Sequence, residues 1–296
     1  MTTKRYGGFV PALPTPITSD ERIDEDGVER LIRYVFQRGA DGVFVLGSMG
    51  EFAKLMDTEK ERLIRISREL VKNNKHFFVG VSDTGTKRVI ANAKKAQDLG
   101  ADAVVVLPPY FYHLNDQNSV HSFYVDVADA VDVPVIVYSN SWSTKVTISL
   151  ETFAKLSKHD RILGVKYSEP EFEPLLKLLR EVRSEKFFVF DGNERRFDQA
   201  CLAGVDGLVG GVTCLIPDVM KEIQEAGLKG DEARAMAGQR KIDRLMSFIT
   251  DSWIHAVKYA LKLLGICDEH VCKPYVPMDT KTRAAVENVL KELKLI

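Results

Sequence analysis

Residues 160–172 read DRILGVKYSEPEF. The apolar run from Ile162 to Val165 has the character of a strand buried on both faces, and it leads straight into Lys166. A lysine inside a buried strand is costly unless something requires it there. The run is also one of eight. The others are GFVPALP (8–14), GVFVLGS (42–48), FFVGVS (77–82), AVVVLP (103–108), PVIVYSN (134–140), FFVFDGN (187–193) and GLVGGV (207–212). Amphipathic stretches separate them, such as 57–73, with Leu63, Ile66 and Leu70 on one face, and 86–100. Gly39, Gly100 and Gly204 stand where a left-handed residue ends a helix, and the aspartate two positions on opens the next strand.

Eight strand–helix units joined by right-handed crossovers close into an α/β fold of the (β/α)8 TIM-barrel type. An open, doubly wound sheet is the alternative, but it usually carries a Gly-rich phosphate turn after its first strand. Here the first run continues into LPTPIT (13–18), which cannot wrap a pyrophosphate. From about residue 230 the helical patterns follow one another without strands. The expected organisation is therefore a catalytic barrel over residues 1–226 and a C-terminal helical extension over 227–296.

Composition narrows the function. The chain has 296 residues, 45 % hydrophobic and 28 % charged, with a net charge of −1. That balance gives no footing for nucleic acid or an anionic membrane as partner. No apolar run reaches the roughly 20 residues of a spanning helix. The start, MTTKRYGGFVPALP, lacks the apolar core of a secretory leader, so a cytoplasmic location is expected. The four cysteines form no CxxC, the six histidines are scattered, and neither a P-loop nor GxGxxG occurs. No metal site and no cofactor is expected.

In such a barrel the chemistry sits where the strands end. Lys166 ends the sixth run, and burial of an amine favours its neutral, nucleophilic form. A neutral amine adds to a carbonyl carbon, and the resulting iminium draws electrons from the neighbouring carbon, so that a C–C bond is made or broken. Tyr138 ends the adjacent run and offers a phenol for proton relay. Gly47, Ser48, Met49, Gly50 and Glu51 form a turn whose backbone amides and Ser48 hydroxyl suit a small carboxylate. Each feature alone has a plainer reading: an internal ion pair for Lys166, a core aromatic for Tyr138, an ordinary tight turn for 47–51.

Together they resemble the dihydrodipicolinate synthase and N-acetylneuraminate lyase family of Schiff-base class I aldolases. The resemblance spans the chain through PTPIT, LGSMGEF, PVIVYSN, GVKYS, AVKYALKLLGI and KPYVPMD. It implies a Schiff base between Lys166 and pyruvate or a 2-keto acid, a relay phenol at Tyr138, and a carboxylate held by Ser48 and the Met49 amide beside Gly47. It also implies that Gly210 and Gly211 leave room for the keto acid, and that the assembly is a homotetramer, a dimer of dimers.

Three departures bear on how substrates are held: the first removes a donor to the keto-acid carboxylate, the second a clamp on the aldehyde, and the third the proton relay shared between subunits. Met49 stands where the family has a second hydroxyl. Ser143 stands where the synthases carry an arginine that clamps the carboxylate of aspartate semialdehyde; Lys145 is the nearest cation. Phe111, followed by Tyr112, stands where a tyrosine is lent to the neighbouring subunit. The loss of the arginine favours a neutral aldehyde, with Ser139, Ser143, Asn193 and Glu194 offered as hydroxyl partners. The expected substrates are therefore a small keto acid and an aldehyde derived from a 2-keto-3-deoxy sugar acid. Dihydrodipicolinate synthesis and a non-catalytic ligand sensor are the alternatives.

Overall fold

The computed structural model describes residues 6–72, 74–249 and 253–296. The first five residues of the stretch read for a leader, the last residue of the 57–73 pattern and Ser252, which opens one of the C-terminal helical patterns, lie outside them.

The elements run β1 (Gly8–Phe9), α1 (Glu25–Gln37), β2 (Gly42–Val45), α2 (Asp57–Leu70), β3 (His76–Gly80), α3 (Thr86–Asp98), β4 (Ala103–Val106), α4 (Gln117–Asp129), β5 (Val135–Ser139), α5 (Ser141–Thr144), α6 (Leu150–Leu156), β6 (Ile162–Tyr167), α7 (Glu173–Glu181), β7 (Phe188–Asp191), α8 (Phe197–Leu202), β8 (Gly207–Leu208) and α9 (Pro217–Lys229). Then come α10 (Glu232–Met246), α11 (Trp253–Leu263) and α12 (Thr280–Glu292). All eight strands pair in parallel in the order β1-β8-β7-β6-β5-β4-β3-β2. A parallel bridge between Ala12 and Phe44 joins the two edges and closes the circle. The barrel read from the sequence is the observed fold. Its extension is there too, although the boundary read at 226/227 falls within the last turn of α9.

The strands are where the apolar runs stand because both of their faces are buried, one by the barrel interior and one by the helices. β1 and β8 are only two residues long. Pro11 and Pro14 supply no amide to the ladder beyond β1. The three glycines read as helix ends do have positive φ, at 98°, 86° and 88°. The aspartates that follow them tie neighbouring strand starts together. Asp41, Asp102 and Asp206 accept from the backbone amides of Phe9, Phe77 and Val189, at 2.9, 3.0 and 2.9 Å. Among the described residues no helix is long and apolar enough to cross a membrane.

Candidate active site

β5 and β6 lie side by side with Tyr138 in register with Lys166. Strand alternation turns both side chains into the barrel. Lys166 is buried, with its Nζ 4.0 Å from the centre of the Tyr138 ring and 5.1 Å from that of Phe44 on β2. Phe44 meets Tyr138 edge to face at 6.5 Å. The amine thus stands in an aromatic corner between β2 and β5. Gly192 keeps that corner open, since a Cβ there would press on Ser168 Oγ and come within 3.0 Å of Lys166 Cε.

The electrostatics of Tyr138 fit this placement. Burial pushes the phenol up, but the charge of Lys166 and hydrogen bonds with Asn140, Lys166 and Ser48 outweigh it, and the phenol lies below its ordinary value. The Asn140 amide donates to Tyr138 Oη at 3.3 Å. Ser48 therefore reaches the Lys166–Tyr138 pair from the far side of the barrel.

Of six non-glycine residues with positive φ among those described, four stand on loops beyond strand C-termini: Leu46, Glu51, Phe111 and Lys145. Backbone strain of this kind persists where the surroundings over-determine it. In the turn after β2, nothing among the described residues accepts from the amides of Ser48, Met49 or Gly50. Glu51 closes the turn and is buried. Its Oε1 takes Lys258 Nζ of α11 at 2.8 Å, and its Oε2 takes the Cys272 amide at 3.0 Å. Lys258 is fully buried and also donates to the His270 carbonyl at 2.7 Å. The helical extension thereby holds the turn.

Several residues occupy places other than those expected. The room at Gly211 is taken by Met49, whose Cε would lie 2.7 Å from an added Cβ, and that at Gly210 by Thr213 Oγ1 and Glu194. Glu194 faces the β8 turn, accepting from the Thr213 amide at 2.8 Å; burial pushes its carboxyl up. Asn193 accepts from the Arg195 amide. Ser139 follows Tyr138 by one position, so alternation turns it out of the barrel, where its Oγ donates to Glu169 at 2.6 Å. Ser143 is exposed and donates to the Asn140 carbonyl. Lys145 Nζ donates to the Trp142 carbonyl at 2.8 Å, folded onto its own turn. Phe111 and Tyr112 are exposed and pack edge to face on each other at 5.0 Å.

Glu169, Asn140 as a partner of the phenol, and Lys258 join the site in the structure without having been expected there. Lys258 carried a signal: a lysine set among the apolar residues of AVKYALKLL. Among the described residues no cluster of three or more His, Cys, Asp or Glu side chains is arranged to hold a metal ion.

Comparison with known proteins agrees with this geometry. Residues 5–293 match the Dihydrodipicolinate synthetase family. The 4-hydroxy-tetrahydrodipicolinate synthase of Chlorobium phaeobacteroides is 31% identical over 301 residues, covering 100% of both chains. That of Gluconacetobacter diazotrophicus is 29% identical over 291 residues, covering 98% of each. Among solved structures, dihydrodipicolinate synthase from Thermotoga maritima superposes with a TM-score of 0.93 at 28% identity, covering 99% of this chain and 100% of that one. YagE, a prophage protein of E. coli K12 solved in complex with pyruvate, gives 0.92 at 26% identity, covering 98% and 99%. The chain belongs to the dihydrodipicolinate synthetase family and is a class I, pyruvate-dependent aldolase of the lysine Schiff-base kind.

Proposed function

We propose that the chain joins pyruvate to an aldehyde, or separates them, through a Schiff base on Lys166. The observation that carries this reading is the register pair Tyr138–Lys166, with the amine 4.0 Å from the phenol ring. Lys166 Nζ adds to the keto carbon of pyruvate, and loss of water gives the iminium. Release of a proton from the methyl carbon gives the enamine, whose carbon attacks the aldehyde. Hydrolysis then frees the product and restores the amine. Tyr138 moves the protons of the addition and dehydration steps, a role favoured by a phenol held below its ordinary value. The free amides of Ser48 and Met49, with the Ser48 hydroxyl, bind the keto-acid carboxylate.

For the aldehyde, the names of the relatives support condensation with aspartate semialdehyde, as in a 4-hydroxy-tetrahydrodipicolinate synthase, better than cleavage of a 2-keto-3-deoxy sugar acid. The rim of the pocket supports a second reading. Lys145 is turned onto the Trp142 carbonyl, and Ser143 carries no charge, so the turn after β5 presents no cation to an anionic aldehyde. Two experiments test this. Borohydride reduction after incubation with pyruvate leaves a mass adduct on the peptide holding Lys166, and Lys166→Ala lowers turnover below about one-thousandth. An unmodified protein, or a Lys166→Ala variant that still turns over, overturns the Schiff-base assignment. Rates with aspartate semialdehyde and glyceraldehyde, each with pyruvate, decide the acceptor.

A further inference from the structure

Glu169 lies three residues beyond Lys166, in the segment leaving β6, and is buried. Its carboxylate accepts from Ser139 Oγ at 2.6 Å, from the Ser141 amide at 3.0 Å and from Ser141 Oγ. All three donors are neutral, and they belong to the two residues that flank Asn140. Asn140 in turn donates to Tyr138 Oη and caps α5 by accepting from the Ser143 amide. The Glu169 segment is itself held. Arg196 donates to the Pro170 carbonyl at 2.9 Å while forming a buried bidentate pair with Asp191 at the end of β7. A continuous set of bonds therefore runs from β7 through Glu169 to the turn that carries the partner of the phenol.

We propose that Glu169 is a positioning residue for the proton relay: by gripping Ser139 and Ser141 it holds Asn140 between them and keeps the Asn140 amide on the Tyr138 hydroxyl. The grip lies on the β5 side of the pocket. The turn after β2, where the keto-acid carboxylate binds, is held separately through Glu51 and Lys258. Glu169 thus acts on proton movement and not on capture of the keto acid. This inference rests on the Schiff-base reading above.

The test compares the unmodified enzyme with Glu169→Ala, Glu169→Gln, Asn140→Ala and the double variant Glu169→Ala/Asn140→Ala. Pyruvate and the better aldehyde are substrates, and borohydride trapping is read in parallel. Glu169→Ala is expected to lower kcat about 10- to 100-fold, with KM for pyruvate changed less than about 3-fold. Glu169→Gln, which keeps an acceptor oxygen, is expected to recover kcat to within about 3-fold of the parent. Because the two residues act in series, the double variant is expected to be no slower than the slower single variant within about 3-fold. A kcat unchanged in Glu169→Ala, effects that multiply in the double variant, or a loss of pyruvate capture matching the loss of kcat overturns the proposal. If Glu169→Ala does not fold, Ser139→Ala and Ser141→Ala carry the same test, each removing a hydroxyl donor and each expected to lower kcat about 3- to 10-fold. Absence of a borohydride adduct in the unmodified enzyme instead overturns the Schiff-base reading.

Discussion

Two turns face each other across the mouth of the barrel, and each hangs on one buried glutamate. After β2, Glu51 is neutralised by Lys258, which reaches it from α11. After β5, Glu169 is met, among the described residues, by hydroxyls and an amide from the neighbouring strand end. The first anchor is an ion pair in a dry environment, made across a great sequence distance. The second is a local fan of neutral donors. A buried carboxylate facing a buried ammonium tolerates no loss of its partner, because the survivor stays desolvated and charged. One facing neutral donors loses its bonds a few tenths to a few kcal/mol at a time. The keto-acid side is therefore built for permanence. The side proposed for the aldehyde is held by bonds that can be lost singly, and two of the three departures from the family pattern, at Phe111 and Ser143, lie beyond β4 and β5.

Three measurements press on that contrast. The largest effect is expected from Lys258→Met. It leaves buried Glu51 with the partly exposed Lys54, 3.4 Å away, and the Cys272 amide, and should lower unfolding free energy by about 3 kcal/mol, whereas Glu169→Gln should cost about 1–2 kcal/mol. Chemical denaturation of both variants checks the pair, and equal losses would break the distinction. Next comes the phenol between the two turns. Tyr138 lies below its ordinary value through Lys166, while Tyr167, facing the helices, is pushed by burial up to about 12. In an ultraviolet titration the first tyrosine step should belong to Tyr138, and Lys166→Met should move that step upward and leave the Tyr167 step in place. The sign for stability follows. An acid depressed in the fold contributes stability above its unfolded value near 10, lost as pH falls through the folded value. The smallest effect is a gain. Lys145 closes α5 at φ 59°, a conformation that suits glycine. Lys145→Gly should raise stability by about 0.5–1 kcal/mol with unchanged rates on a neutral aldehyde. A fall in rate would return Lys145 to the substrate.

The barrel was legible because its strands are buried on both sides, which makes apolar runs that no surface segment imitates, and because glycine ended three helices at the expected points. Lys166 and Tyr138 were legible for the same reason, as polar exceptions at the ends of such runs. Ser139 differs from the expectation of a substrate-facing hydroxyl for a reason the strand period contains: a residue adjacent to an inward tyrosine points outward, here onto Glu169. Asn193 caps and Glu194 opens a short 3-10 helix after β7, and their partners come from that helix and the turn after β8. Glu169 was hidden by its surroundings in the sequence. In SEPEF it reads as a solvated loop charge, and only the packing of β5 against β6 buries it.

The tie between Glu51 and Lys258 also orders events during synthesis. The two residues are 207 positions apart. At roughly 5–20 residues per second, a ribosome takes roughly 10–40 s to deliver the lysine after the glutamate. Through most of that interval the barrel wall is still being made, since β8 ends at Leu208, and the turn proposed to receive the keto acid stays unlatched until Lys258 emerges. All eight strands, Lys166 among their residues, are therefore made before the helix that latches the turn is complete.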